Sequence, residues 1–378
     1  MREQVIGFYD STNYHNIIEK HSISLIRQLN DAGIRVMGFA CTGSDFYKAL
    51  QGQNIPVTST GDSTNQNNLS KAFRLVRILK ENHCELLVII RPHDLVTAVM
   101  AKKFFYRKLK LIFFQQIKFH LRKNYLLYNF LFKPFNAWIT TMENQKKQLL
   151  ELSGFPGEKV FIISPGIDFR HFEEDTVSKI VARKILKLPE DTFLIGALGR
   201  HSIKNRQDFM IRAIQLLRKH NYDVDLLLVG MSRQQEEIEY FNFLQELAVE
   251  CGVEDHVHFR PQSEKEITFF KALDVYTELS PFGLNGHNIL KAMASNVPVI
   301  APSSEDLDEV LDKGKYGMLY HKNDLEDFTS KIIRLITQPK IRDYLNGEAR
   351  KIIHEKYNIR LRNEKFESVI SSFMMNNS

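Results

Sequence analysis

Short extended apolar runs alternate with amphipathic runs of helical period along nearly the whole chain, the pattern of parallel-sheet α/β architecture. In the first half the spacing predicts strands at Val5 to Tyr9, Ile34 to Ala40, Leu86 to Ile90, Leu111 to Gln115, Ala137 to Thr141 and Val160 to Ile163. Helices fall between them. Residues 17–31 turn Ile18, Ser22, Ile23, Leu25, Ile26 and Leu29 toward one side and stop before Gly33, while residues 69–82 repeat Leu69, Phe73, Val76 and Leu79. Residues 52–68, rich in Ser, Thr, Asn, Gln and Gly, read as a loop or a short strand.

From Gly166 to Asp191 the apolar period weakens, acids cluster at Glu173, Glu174 and Asp175, and a linker is expected. A second α/β unit follows. Its strands are predicted at Phe193 to Ala197, Asp225 to Val229, Val257 to Phe259, Val275 to Thr277 and Val299 to Ala301. Its helices are predicted at 206–220, 236–251, 264–271, 289–295 and 325–337, with an amphipathic helical tail from Lys340.

The stretch VYTELSPFGLNGHNILKAMASNVPVI, residues 275–300, organises this second half as strand, glycine-bearing loop, short helix and strand. Gly283 and Gly286 free the loop backbone, so the amides at the helix start can approach an anion, most often phosphate. An ordinary βαβ turn is the alternative reading.

Length and composition narrow the class. A chain of 378 residues favours two domains, and 25% charged with 43% hydrophobic residues is the balance of a soluble globular protein. No apolar run approaches the roughly 20 residues of a membrane helix, and the opening run ends at Asp10, too short for a secretory core, so a cytoplasmic location is expected. Cys41, Cys84 and Cys251 match no metal or redox spacing.

The net charge of +6 is modest, but its distribution is not even. Between Asp94 and Glu143 there is no acid, while Lys102, Lys103, Arg107, Lys108, Lys110, Lys118, Arg122, Lys123 and Lys133 interleave with aromatics from Phe104 to Trp138. Three readings compete. The aromatics are core and the charges solvate the other face; or residues 96–142 meet an anionic membrane at its inner face; or they bind nucleic acid, which no accompanying signature supports.

At the end of the first strand of the second unit stands Gly199-Arg200-His201-Ser202-Ile203-Lys204-Asn205. Ligands bind at the carboxyl ends of parallel strands, so Arg200 and Lys204 are placed to meet the same phosphates as the glycine loop. The ordered series of Gly199-Arg200 with Lys204, LLLVG ending at Gly230, VHFRP at 257–261, SPFGLNGHNILKAMASNVPVIAP, and Glu309 with Gly317 and Leu319 resembles the C-terminal domain of the GT-B glycosyltransferases of retaining family four. PGIDFRHF at 165–172 resembles that family's interdomain hinge.

The resemblance implies an α/β fold of two Rossmann-like domains facing across a cleft. Residues 1–168 would form the acceptor domain, 169–350 the nucleotide-sugar domain, and 351–378 a helix returning to the first. It implies Arg200 and Lys204 as the cations of the leaving diphosphate. Gly199, Arg260, Pro261, Gly283, Gly286, His287, Asn288, Lys291 and Glu309 would lie around the donor, and Ser11, Thr12 and Asn13 on the acceptor side. His120 stands near a histidine of the family and is a further catalytic expectation. The expected partners are a nucleotide-sugar donor, as substrate rather than cofactor, and a glycan or lipid-linked acceptor. No metal site is expected.

The departures are as specific as the likeness. The two glutamates that family members carry ahead of Ala-Met-Ala are replaced by Gly283 and Lys291, and the double glycine before the Glu309 position is Ser303-Ser304. An ammonium at 291, in what reads as the first helical turn, cannot accept from a ribose diol and shifts recognition toward phosphate. The resemblance thus implies a metal-independent, retaining glycosyltransferase of cell-surface polysaccharide or glycolipid synthesis. It also supports a non-catalytic GT-B partner that binds sugar or peptide.

Overall fold

A computed structural model of the chain describes residues 5–12, 17–61, 67–116, 125–230, 234–261, 266–278 and 286–374. The chain divides into two compact units, Met1–Pro165 with Arg360–Ser378, and Gly166–Ile359. Asn13, His120 and Gly283 lie outside the described residues, as do Lys118, Arg122 and Lys123.

The first unit is a seven-stranded parallel sheet of β1 (Val5–Asp10), β2 (Val36–Ala40), β3 (Val57–Ser59), β4 (Cys84–Ile89), β5 (Lys110–Phe114), β6 (Ala137–Thr140) and β7 (Val160–Ile162), in the order β3-β2-β1-β4-β5-β6-β7. Both faces are buried, which is why these strands read as continuous apolar runs rather than alternating ones. Ile6, Phe8, Leu86, Val88 and Ile112 pack with Leu25, Ile26 and Leu29 of the helix Ile17–Asp31 and with Phe366 and Ile370 of the last helix, Ile359–Met374. Tyr9, Leu87, Ile89 and Phe113 pack on the other face with the helix Asn68–Glu81. Trp138 sits among Phe113, Phe132, Phe135 and Phe155 at ring distances of 4.7, 4.5, 5.8 and 5.7 Å. Much of the aromatic run is therefore core.

The second unit is a six-stranded parallel sheet of β8 (Phe193–Leu198), β9 (Val224–Gly230), β10 (Val257–Pro261), β11 (Val275–Thr277), β12 (Val299–Pro302) and β13 (Met318–Tyr320), in the order β10-β9-β8-β11-β12-β13. Each sheet starts at an inner strand, winds outward to one edge, then crosses to the other side. The reversal falls between β1 and β4 in one unit and between β8 and β11 in the other, and crevices outside the carboxyl ends of such strands are where ligands bind.

Two sequence expectations change. Met318–Tyr320, too short for periodicity to show, is an edge strand. The stretch from Gly166 to Asp191, expected as a linker, holds the helices Arg170–Glu173 and Lys179–Leu186. Its period is hidden because a buried position is charged: Arg183 donates to the carbonyls of Ala272 at 3.0 Å and Thr192 at 3.0 Å and to Asp274 Oδ2 at 2.6 Å. Asp274 also accepts from the amide of Leu194 at 2.8 Å, tying this helix to the start of β8.

Candidate functional site

At the carboxyl end of β8 the chain turns at Gly199, whose amide donates to Val229 O at 2.9 Å. Gly230, which ends β9 alongside, leaves no room for a side chain: a Cβ there would meet Gly199 O at 2.3 Å. The backbone carbonyl of Arg200 accepts from Asn205 Nδ2 at 2.7 Å and Gln207 Nε2 at 2.9 Å, which fixes the loop. His201 points inward, its ring 4.9 Å from that of Phe241, and burial pushes its pKa down. Lys204 sits exposed on the 3-10 turn Ile203–Asn205, with Ser202 Oγ accepting from its amide. Arg200 Nη2 lies 2.8 Å from Glu237 Oε1, so this cation is already partnered.

The next strand toward the other edge, β11, ends beside buried Glu278, whose amide donates to Ile300 O at 3.0 Å. Tyr276 donates its hydroxyl to Glu278 Oε2 at 3.1 Å. Gly286 then starts the helix His287–Ala294 from a left-handed conformation, φ +70°, with room for a Cβ only 3.1 Å from Val310 Cγ1. His287 and Asn288 are its first two residues, half-buried, so their amides lie in the first turn, at the positive end of the helix. The adjacent strands β8 and β11 thus bring the Arg200 and Lys204 turn and the N-terminus of the helix His287–Ala294 to one sheet edge. That combination stabilises an anion.

Other expected positions are used differently. Lys291 is the fifth residue of the helix, in its second turn rather than its first, and its ammonium is ion-paired with Glu266 Oε2 rather than standing alone. Arg260 donates to Leu186 O at 3.0 Å and Lys187 O at 3.2 Å, closing the end of the helix Lys179–Leu186, while Pro261 is exposed at the end of β10. Glu309 is half-buried on the helix Glu305–Val310. The serines that replace the double glycine have local work: Ser304 caps that helix, and the Ser303 hydroxyl donates to Asp308 Oδ1 at 3.0 Å.

In the first unit the ends of β1 and β4 meet in a buried polar network. Arg91 Nε donates to Asp10 Oδ2 at 3.1 Å, and Thr12 donates to Asp10 Oδ1 from its amide at 2.8 Å and its hydroxyl at 2.5 Å. Ser11 donates to Asp94 from its amide at 3.1 Å and its hydroxyl at 2.5 Å, and lies 3.2 Å from His93 Nε2. Burial pushes the Asp94 carboxyl up to about 7, against the lowering hydrogen bond from Ser11 and with the charge of Asp10 adding to the rise. His93 is pushed down by burial. Ser11 and Thr12 therefore hold acids of their own unit, and half-exposed His93 is the side chain that this network offers outward. Arg91, His93 and Asp94 escaped the sequence reading, although Arg91-Pro92-His93-Asp94 directly follows the buried run of β4.

Among the described residues no cluster of three His, Cys, Asp or Glu side chains is arranged to hold a metal ion. No helix among them is long and apolar enough to cross a membrane.

The family described as Glycosyl transferases group 1 matches residues 178–352, and that described as Glycosyltransferase Family 4 matches residues 18–171. The D-inositol 3-phosphate glycosyltransferase of Stackebrandtia nassauensis is 28% identical over 208 residues, covering 53% of this chain and 46% of that protein. The capsular polysaccharide biosynthesis glycosyltransferase CapM of Staphylococcus aureus is 24% identical over 211 residues, covering 56% of this chain and 54% of that protein. The chain thus spans about half the length of the curated relatives it matches. Among solved structures, a glycosyltransferase from Rickettsia africae superposes with a TM-score of 0.88 at 16% identity over 100% of both chains. HepE of Anabaena, in complex with UDP and glucose, does so with 0.81 at 19% identity over 98% of this chain and 100% of that one. At such identities the likeness shows the fold, which is GT-B.

Proposed function

The chain belongs to the glycosyltransferases, with a Family 4 domain followed by a group 1 domain, and from that membership we propose that it transfers a sugar from a nucleotide-sugar donor to a glycan or lipid-linked acceptor. The observation that carries this reading is the edge of the second sheet, where the Arg200 and Lys204 loop leaves β8 and the Gly286 helix start follows the neighbouring β11. When the glycosidic bond breaks, negative charge grows on the departing diphosphate, and preorganised cations with helix amides stabilise that charge without reorganising. We assign Arg200, Lys204 and the amides of His287 and Asn288 to this task, in a retaining transfer that needs no metal. The acceptor belongs to the first unit, beside Ser11, Thr12 and His93. CapM, a relative named for capsular polysaccharide biosynthesis, and HepE, solved with UDP, support a surface-glycan product and a uridine donor as the first pair to test.

The unit-one surface supports peripheral attachment to an anionic membrane that carries the acceptor. Phe73, Phe104 and Phe130 are exposed there, and Lys103 Nζ lies 3.4 Å from the centroid of the Phe130 ring.

Calorimetric titration with UDP, GDP, ADP, CDP and their sugar conjugates tests the function. Binding of one diphosphate with its sugar conjugate, followed by hydrolysis or transfer of that sugar, is the expected result. A protein that binds none of them is the non-catalytic partner instead, a reading favoured by the neutralised state of Arg200 and Lys291.

A further inference from the structure

We propose that Glu266, held in place by Lys291, is the carboxylate that reads the ribose of the bound nucleotide; the inference rests on the nucleotide-sugar reading above and deepens it. Lys291 and Glu266 form a largely buried ion pair, with side chains 13% and 26% exposed. Glu266 opens the helix Glu266–Ala272, five positions after Pro261 ends β10, and Lys291 lies on the helix that Gly286 starts after β11. Both helices begin at the carboxyl edge of the sheet, the edge that also carries Arg200 and Lys204. Buried Tyr276 ties the pair to the same edge: its hydroxyl donates to Glu278 and feels the charge of Glu266, and burial, joined by Glu278 and then Glu266, holds its pKa well above the ordinary value.

The chemistry of the pair selects its ligand. An ammonium is a donor only and cannot receive a hydroxyl hydrogen, whereas a carboxylate accepts on both oxygens. Lys291 holds Oε2, which leaves Oε1 and the outer lone pair of Oε2 for two adjacent hydroxyl donors, the pattern that a ribose 2',3'-diol presents. The ion pair as a whole also carries no net charge beside the diphosphate, because the lysine balances the carboxylate. Lys291 is thus a positioning residue and Glu266 the specificity-determining one. The position that lost an acceptor recovers it from the helix opposite.

The test is a ratio measured on the full chain. The nucleoside diphosphate that binds most tightly among UDP, GDP, ADP and CDP is titrated beside its 2'-deoxy form. Wild-type protein prefers the ribose form by about tenfold or more, the scale of one hydrogen bond to a charged acceptor. In Glu266→Gln the preference falls below about threefold, on the same scale of lost charge assistance. Lys291→Met lowers it as well, and Lys291→Arg retains it. The charge-exchanged double variant Glu266→Lys with Lys291→Glu keeps a carboxylate and its counter-ion, and it also retains the preference. A purely structural ion pair lowers the melting temperature of Glu266→Gln while leaving the ratio unchanged, and that result overturns the assignment alone. Wild-type protein that binds no nucleoside diphosphate overturns the nucleotide-sugar reading itself.

Discussion

The guanidinium of Arg200 lies 2.8 Å from the carboxylate of Glu237, so one of the two cations at the end of β8 is aimed before any ligand arrives, while Lys204 four residues on stands exposed. Glu237 is itself buried and accepts from the amide of Gln234 at 3.2 Å at the start of the helix Gln235–Glu250. The cation is therefore carried on a rigid element, at the cost of an anion that a diphosphate bound there would have to outcompete.

Arg200→Ala and Lys204→Ala should each lower kcat/KM by about 2–4 kcal/mol, the scale of one preorganised charge-stabilising group. Their stabilities should differ, because only Arg200→Ala strips a buried acid of its partner. Adding Glu237→Gln to Arg200→Ala should restore the melting temperature and leave turnover low. Wild-type turnover in both single variants would place the diphosphate elsewhere.

Gly230→Ala should cost about 1–3 kcal/mol, the range of overpacking in a close-packed site, since its Cβ would press on Gly199 O. The strain falls on the backbone that sets the Arg200 loop, so nucleotide affinity should drop with stability. An unchanged dissociation constant in a folded variant would show that the turn tolerates displacement.

Much of this architecture is legible in the sequence because parallel strands buried on both faces leave unbroken apolar runs, as at Leu86 to Ile90 and Leu226 to Val229. The helix start is legible too, through Gly286. What stays hidden depends on pairing between distant residues. Nothing local marks Glu266 as the partner of Lys291, or Glu237 as that of Arg200, at separations of 25 and 37 positions. Arg183 shows the converse, since a charged side chain in the core breaks the period that would have revealed its helix.

Asp94 gives the first unit a pH dependence. Its carboxyl is pushed up to about 7 from an ordinary 3.8, chiefly by burial, so between these values the native state keeps a proton that the unfolded chain has released. Stability therefore falls as pH rises through that window, by at most about 4 kcal/mol. Asp94→Asn removes the titration while its amide can still accept from the Ser11 amide and donate to the Ser11 hydroxyl. Trp138, the chain's one tryptophan, lies in this unit and reports its unfolding by fluorescence. The urea midpoint of the wild type should fall from pH 4.5 to 7, and that of Asp94→Asn should follow a flatter course. Parallel profiles would show that Asp94 is ionised in the native state throughout.

The proposed membrane attachment is testable because the structure separates the basic residues of this surface by role. Lys102 Nζ donates to Pro134 O and Asn136 Oδ1, both at 2.7 Å, and burial lowers its pKa to about 8, so it holds the fold and is unsuited to the test. Arg107, Lys108 and Lys133 are exposed, in a segment without acids, near Phe104 and Phe130 at 63% and 58% exposure. The Phe104 ring meets that of Phe105 at 6.4 Å, and Phe105 meets exposed Phe73 at 5.6 Å, which makes an apolar surface continuous across two helices. Such a surface should pellet with anionic vesicles at low salt and release as salt rises, each basic residue contributing about 1 kcal/mol. Arg107→Ser with Lys108→Ser and Lys133→Ser should weaken binding by removing the attraction. Phe104→Ser with Phe130→Ser should weaken it by removing the inserted area, and this loss should persist at high salt because apolar burial is not screened. Equal recovery of wild-type protein in the supernatant with anionic and neutral vesicles would refute the membrane assignment.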